Sequence, residues 1–252
     1  MTPDEATQIA RPWALASRPA SEGDVGLYEF ALGYVAWVKA PPPADPDRPP
    51  EVIGAPLAVI DKESGELTTW PSLSPQGVAE LYELEIAARR RFPDDVRHVL
   101  SAAGWRSDRN VGAWVSSWLN DVYGATPGLE RRLPIFPAAR RLLDEFGGLT
   151  FRQGKLPGVP TGGFEVQFWP TDGRVLAELF AEFGADLGQP VFPLAWYADG
   201  PSDIVAAADG RVFLLHEAGE FLVGATPDEA VTRLVRGEPF AEVDDHGNVL
   251  AP

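Results

Sequence analysis

Apolar positions along this chain alternate between helical and strand-like spacing, and Gly, Pro and Ser/Asp punctuation marks the changes. Asp4 to Ala16 predicts a short helix, capped by Thr2 or Asp4 and broken or kinked at Pro12. Leu27 to Val38 (LYEFALGYVAWV) is rich in β-formers and predicts one strand. Pro41 to Pro50 holds six prolines and predicts a solvated loop. Pro56–Asp61 and Leu67–Trp70 predict two further strands around a Lys62–Glu66 turn, with Trp37 and Trp70 pairing across the small sheet. Ser74 then caps a helix from Pro75 to about Arg90.

Past Pro93 the pattern restarts. Helices are expected at Pro93–Ala103, stopped by Gly104, at Trp114–Tyr123, and at Pro137–Phe146. In the last, Leu142, Leu143 and Phe146 form one apolar face, and Gly147-Gly148 ends the helix with positive φ. Strands follow at Leu149–Arg152 and Glu165–Trp169, then a helix from an Asp172 cap to Phe183 with Leu176, Leu179, Phe180 and Phe183 as its stripe. Four short strands come next: Phe192–Ala195, Ile204–Ala207, Val212–His216 and Phe221–Val223, with an Asp209-Gly210 hairpin turn. Thr226 caps a last helix that Gly237 stops, and Phe240–Val243 turns back on Val249–Leu250. The reading is α+β in two modules: residues 1–90, a small α-β-β-β-α domain, and 93–252, a mixed or antiparallel sheet with packed helices.

Two stretches carry a family likeness. Phe136–Phe151 reads FPAARRLLDEFGGLTF, and Gly104-Trp105-Arg106-Ser107-Asp108-Arg109-Asn110-Val111 lies upstream. Together they resemble the motifs of the SUKH superfamily, third subfamily, with Ser107-Asp108 where a Pro-Gly pair is commoner. In that likeness Gly104, Trp105, Arg109, Glu145, Phe146, Gly147, Gly148 and Leu149 mark the scaffold. The first module, through GYVAWV, AVIDKESGELTTWPSL and GVAELY, is similar to YrhB-like domains. The resemblance implies a bacterial immunity protein of a polymorphic-toxin system, one that binds a toxin, often a nuclease or nucleic-acid deaminase, and covers its active site.

Charge changes the picture of the partner. The chain carries a net −16 and only three lysines, and residues 1–92 and 93–252 are both acidic, at −6 and −10. A nucleic-acid surface needs clustered Lys and Arg, so neither half reads as one. A basic protein partner suits this balance, since complementary charge speeds encounter. No stretch approaches the ~20 apolar residues of a membrane span, and the N-terminal MTPDEATQIARPWAL is not a secretory signal. With no cysteine there is neither disulfide nor thiolate site, which fits a cytoplasmic setting.

Chemistry is sparse. His98, His216 and His246 show no metal-ligand spacing, and Asp244–Asn248 lacks the alternation of a calcium loop. Gly154–Gly163 is glycine-rich without the Lys-Ser/Thr of a phosphate loop, and reads as a linker or a loop towards a partner. The expectation is no enzyme, no cofactor and no metal. Trp169 and the Trp196-Tyr197-Ala198-Asp199-Gly200 stretch lie where strands leave the second sheet. Trp169, Trp196, Tyr197, Asp199 and Asp203 are therefore the candidate partner-binding residues. An adaptor that binds one partner per module is the competing reading.

Overall fold

The run Leu27–Val38, expected as one strand, folds back on itself. The structure is a computed structural model that describes residues 1–17, 24–39, 55–154, 163–169, 177–197, 202–244 and 246–250. Helix α1 (Pro3–Ser17) leads to a hairpin of β1 (Val25–Glu29) and β2 (Gly33–Val38), followed by β3 (Leu57–Asp61) and β4 (Leu67–Trp70) in a four-stranded antiparallel meander, order β1-β2-β3-β4. The reversal at Phe30–Leu32 sits inside an unbroken apolar run, so no polar punctuation announces it. Lys62 holds it, its N–H on the Leu32 carbonyl and its ammonium on the Phe30 carbonyl at 2.6 Å. The first module is thus α-β-β-β-β-α, closed by α2 (Pro75–Arg91).

Thr2 and Glu5 form a reciprocal capping box on α1, Thr2 N–H to Glu5 Oε2 at 2.7 Å and Glu5 N–H to Thr2 Oγ1 at 3.3 Å. The helix continues through Pro12 rather than breaking there. Pro12 and Gln8 both face solvent, so the Gln8 carbonyl deprived of its usual partner is left to water. One face of the sheet packs on α1 through Ala6, Ala10, Tyr34, Ala36 and Ile60, and the other packs on α2 through Val35, Val59, Val78 and Tyr82. Trp37 and Trp70 do not pair, because Leu57 of β3 stands between their strands. The chain divides into compact units Met1–Ala87 and Ala88–Pro252.

The second unit continues with α3 (Asp94–Ala102), α4 (Gly112–Ala125), α5 (Leu129–Arg132) and α6 (Pro137–Phe146). Then come β5 (Thr150–Arg152), β6 (Glu165–Gln167), α7 (Ala177–Asp186), β7 (Val191–Tyr197), β8 (Ser202–Ala207), β9 (Val212–His216), β10 (Gly219–Gly224), α8 (Pro227–Arg236) and β11 (Ala241–Glu242). The strands form one antiparallel sheet in reverse sequence order, β11-β10-β9-β8-β7-β6-β5. The fold is α+β with two antiparallel sheets. At four residues, α5 is too short to show periodicity; it buries Leu129. The Asp172 cap, Leu176 and the loops at 40–54 and 155–162 lie outside the described residues.

The core lies where α6 meets the sheet. Phe146 packs on Phe168 at 5.5 Å, and Phe168 on Phe151 at 6.2 Å. Each such ring contributes about 2–3 kcal/mol on leaving water. Phe183 of α7 packs on Phe213 of β9, which points from the opposite face. Helices therefore cover both faces of the sheet.

Candidate partner-binding surface

The two sequence motifs meet in space and build the scaffold. Gly104 (φ 96°) ends α3 in a Schellman turn, with Trp105 N–H on the Leu100 carbonyl and Gly104 N–H on the Ser101 carbonyl. That turn swings Trp105 into the core, 1% exposed, edge-on to Phe92 and parallel to Phe146. Its indole N–H donates to Glu145 Oε1 at 3.0 Å. Arg109 reaches the end of α6 and donates to the Glu145 and Gly147 carbonyls, which lack partners within the helix. Burial lowers the Arg109 pKa. Gly148 takes positive φ (79°), whereas Gly147 does not: a Cβ there would lie 2.5 Å from the Leu143 carbonyl oxygen and 3.1 Å from Trp114. The two glycines answer different needs, one conformational and one spatial.

Arg91 completes this cluster. Its guanidinium donates to Asp228 (3.1 and 2.6 Å) and to Glu145 (2.7 and 3.4 Å), and lies over the Phe92 and Trp105 rings. The Asp228 bonds, then Glu145, raise its pKa against desolvation. A groove of about 510 Å³ opens beside it, lined by Arg91, Arg141, Leu142, Glu145, Thr226 and Asp228 among others. Two cations there face two carboxylates, and Thr226 Oγ1 caps α8 by accepting from Glu229 N–H. Nothing in this lining is an activated nucleophile or an unmatched acid–base pair.

A second surface lies at the β5 end of the sheet. The pairing register sets Thr150, Gln167, Trp196, Asp203, Leu215 and Glu220 in one row across six strands, all on the same face. Trp169 follows Gln167 by two residues, 50% exposed, its ring 4.9 Å from that of Trp114. Trp196 is 37% exposed. Glu165 accepts from the Gln167 amide and stands opposite Arg152. An exposed indole, a carboxylate and an amide thus share one shelf, and Trp169 stands beyond the end of β6, its N–H on the Gln167 carbonyl and its ring against Trp114 of α4.

Of the binding candidates that the sequence suggests, Trp196 lies on this shelf and Trp169 just past the end of β6, and both are exposed. Tyr197 is buried instead: one step along β7 from Trp196, it points to the opposite face, between Phe164 and Phe240, and its hydroxyl donates to Gln153. Asp203 is also buried, 4% exposed, between Trp196 and Leu215. Asp199 lies outside the described residues. Glu165 and Gln167 belong to the shelf although composition alone does not single them out; the alternation along β6 is the signal that could have found them.

Among the described residues no group of three or more His, Cys, Asp or Glu could hold a metal ion, and no helix is long and apolar enough to cross a membrane. His216 Nδ1 accepts from Ala218 N–H, and His246 Nδ1 lies 3.1 Å from the Asp186 carbonyl oxygen.

Comparison with protein families matches residues 92–237 to a family described as SUKH-3 immunity protein. Residues 4–89 match one described as immunity protein 35-like domain. Comparisons with curated proteins and with solved structures give no match.

Proposed function

This chain belongs to the SUKH-3 immunity protein family, and from that premise we propose that it protects its cell by binding a cognate toxin and covering the toxin's active site, without turnover of its own. One observation carries the reading: both halves of the chain, residues 4–89 and 92–237, match immunity families. The shelf of Trp196, Glu165 and Gln167, together with Trp169 past the end of β6, is the surface we assign to the toxin. Exposed tryptophans supply large contact area at little entropic cost, and such residues dominate binding energy at interfaces. The chain's −16 charge suits a basic partner, as a nuclease or nucleic-acid deaminase of a polymorphic-toxin system, acting in the cytoplasm, would be.

Co-expression with the toxin encoded beside this gene tests the reading. Growth is rescued by the wild type, and the two proteins are recovered as a complex. Failure of both would remove the proposal. The adaptor reading draws on each module having its own core and its own family match. It predicts that the first module captures a protein other than the toxin.

A further inference from the structure

Among the described residues, the first module leaves its longest sheet edge bare. Phe30 N–H bonds the Gly33 carbonyl and Lys39 N–H the Asp24 carbonyl, so the β1–β2 register points the main-chain groups of Gly26 and Tyr28 at β2. Those of Val25, Leu27 and Glu29 point away from the sheet. Among the described residues none of these groups is hydrogen-bonded. Edge strands are ordinarily guarded by Pro, Lys, a bulge or shortness. β1 has five residues, no Pro, no Lys and no register shift. Its one charge, Glu29, is neutralised by Lys62 at 3.0 Å.

We propose that this edge pairs with β1 of a second copy of the chain, antiparallel about Leu27, to make a weak homodimer with a continuous eight-stranded sheet. The sequence is self-complementary in that register. Leu27 meets Leu27, Val25 meets Glu29, and Gly26 meets Tyr28, so no like charges stand opposite each other. Gly26 has no Cβ, and the Trp37 ring occupies the place beside it; a Cβ would lie 2.2 Å from that ring. The Tyr28 ring of the copy arrives over the same glycine and against Trp37.

Helix α1 fits the same twofold. It packs over β1, β2 and β3, so the twofold places the two copies of α1 on the same face of the joined sheet, running antiparallel. Glu5 and Ile9 face the groove beside Lys62 and Glu63. The opposite flank of α1 carries Asp4, Thr7 and Arg11, at helical spacing. The association does not involve the tryptophan shelf and stands apart from toxin binding.

Sedimentation velocity on the full chain tests it. A small interface between two chains of charge −16 predicts a dissociation constant of about 10–100 μM, tightening several-fold from about 0.05 to 0.3 M salt as repulsion is screened. Leu27→Pro removes an N–H that points to solvent in the monomer, so the ladder to β2 survives while the dimer weakens about tenfold or more. Val25→Glu sets like charges opposite Glu29 twice and weakens it about tenfold, whereas Val25→Lys keeps or strengthens it. Amide exchange at Val25, Leu27 and Glu29 slows as concentration rises. A monomer at about 200 μM overturns the proposal, as does a dimer indifferent to both L27P and V25E. Weakening by V25K as severe as by V25E refutes the register. Protection of those amides only when toxin is added would assign the edge to a toxin strand and dispose of the homodimer.

Discussion

Replacing Arg91 by Ala should destabilise the second unit by about 2 kcal/mol. The figure lies between two limits: about 3–5 kcal/mol for breaking a fully buried ion pair and about 0–1 kcal/mol for an exposed one. Arg91 is a third exposed, with Glu145 at 23% and Asp228 at 39%, so solvent screens part of the loss. Two carboxylates are nevertheless left facing each other with no cation between them, and Trp105 keeps its bond to one of them. In a unit of this size about 2 kcal/mol lowers the melting temperature by about 4–8 °C. Scanning calorimetry of the full chain at neutral pH reads this out. Arg91→Met, which keeps the stem packed over Phe92 and Trp105, should lose nearly as much as Ala. Arg91→Lys should recover part, because an ammonium cannot bridge both carboxylates in a planar fork. If R91A melts within about 1 °C of the wild type, the cluster is decorative and the account of the scaffold is wrong.

Further outcomes follow from the same geometry. Gly147→Ala should cost about 2–3 kcal/mol, from contact with the Leu143 carbonyl and Trp114, measurable by urea unfolding. Asp61 accepts from Glu63 N–H, Ser64 N–H and hydroxyl, and Tyr82 hydroxyl; burial opposes its ionisation, but the Ser64 and Tyr82 bonds outweigh it and the pKa is lowered. A carboxyl depressed in the folded state stabilises above its ordinary pKa and loses that contribution as pH falls through the folded value. The first module should therefore weaken as pH drops below the ordinary carboxylate range, and Asp61→Ala should remove about 1–2 kcal/mol at neutral pH and flatten that acid limb. Trp169→Ala with Trp196→Ala should change stability by under about 1 kcal/mol yet weaken toxin binding by about 30-fold or more, by calorimetric titration.

The helices are well marked in the sequence, because α6 and α8 have apolar stripes bounded by Pro and Gly at both ends. The two motifs are marked too, though their meaning is visible only when Trp105 and Arg109 are seen closing on Glu145 and Gly147. The β1–β2 reversal is hidden because Ala31 and Leu32 are not turn-forming residues, and beside the local Phe30–Gly33 bond it is held by Lys62, about thirty positions away. The binding candidates are half legible for a related reason. Composition marks Trp196 and Tyr197 alike, but strand alternation sends one to the shelf and its neighbour into the core. Which face of a strand is buried depends on what packs there, and that is a tertiary fact.

The central claim is that protection comes from a stoichiometric cover over the toxin. Titrating the chain into a fixed amount of active toxin tests it most directly. Activity should fall linearly and reach its floor at one chain per toxin, with the break displaced to excess when Trp169 and Trp196 are both replaced. Complete inactivation by a small fraction of an equivalent would mean the chain acts by turnover, and the account would fail.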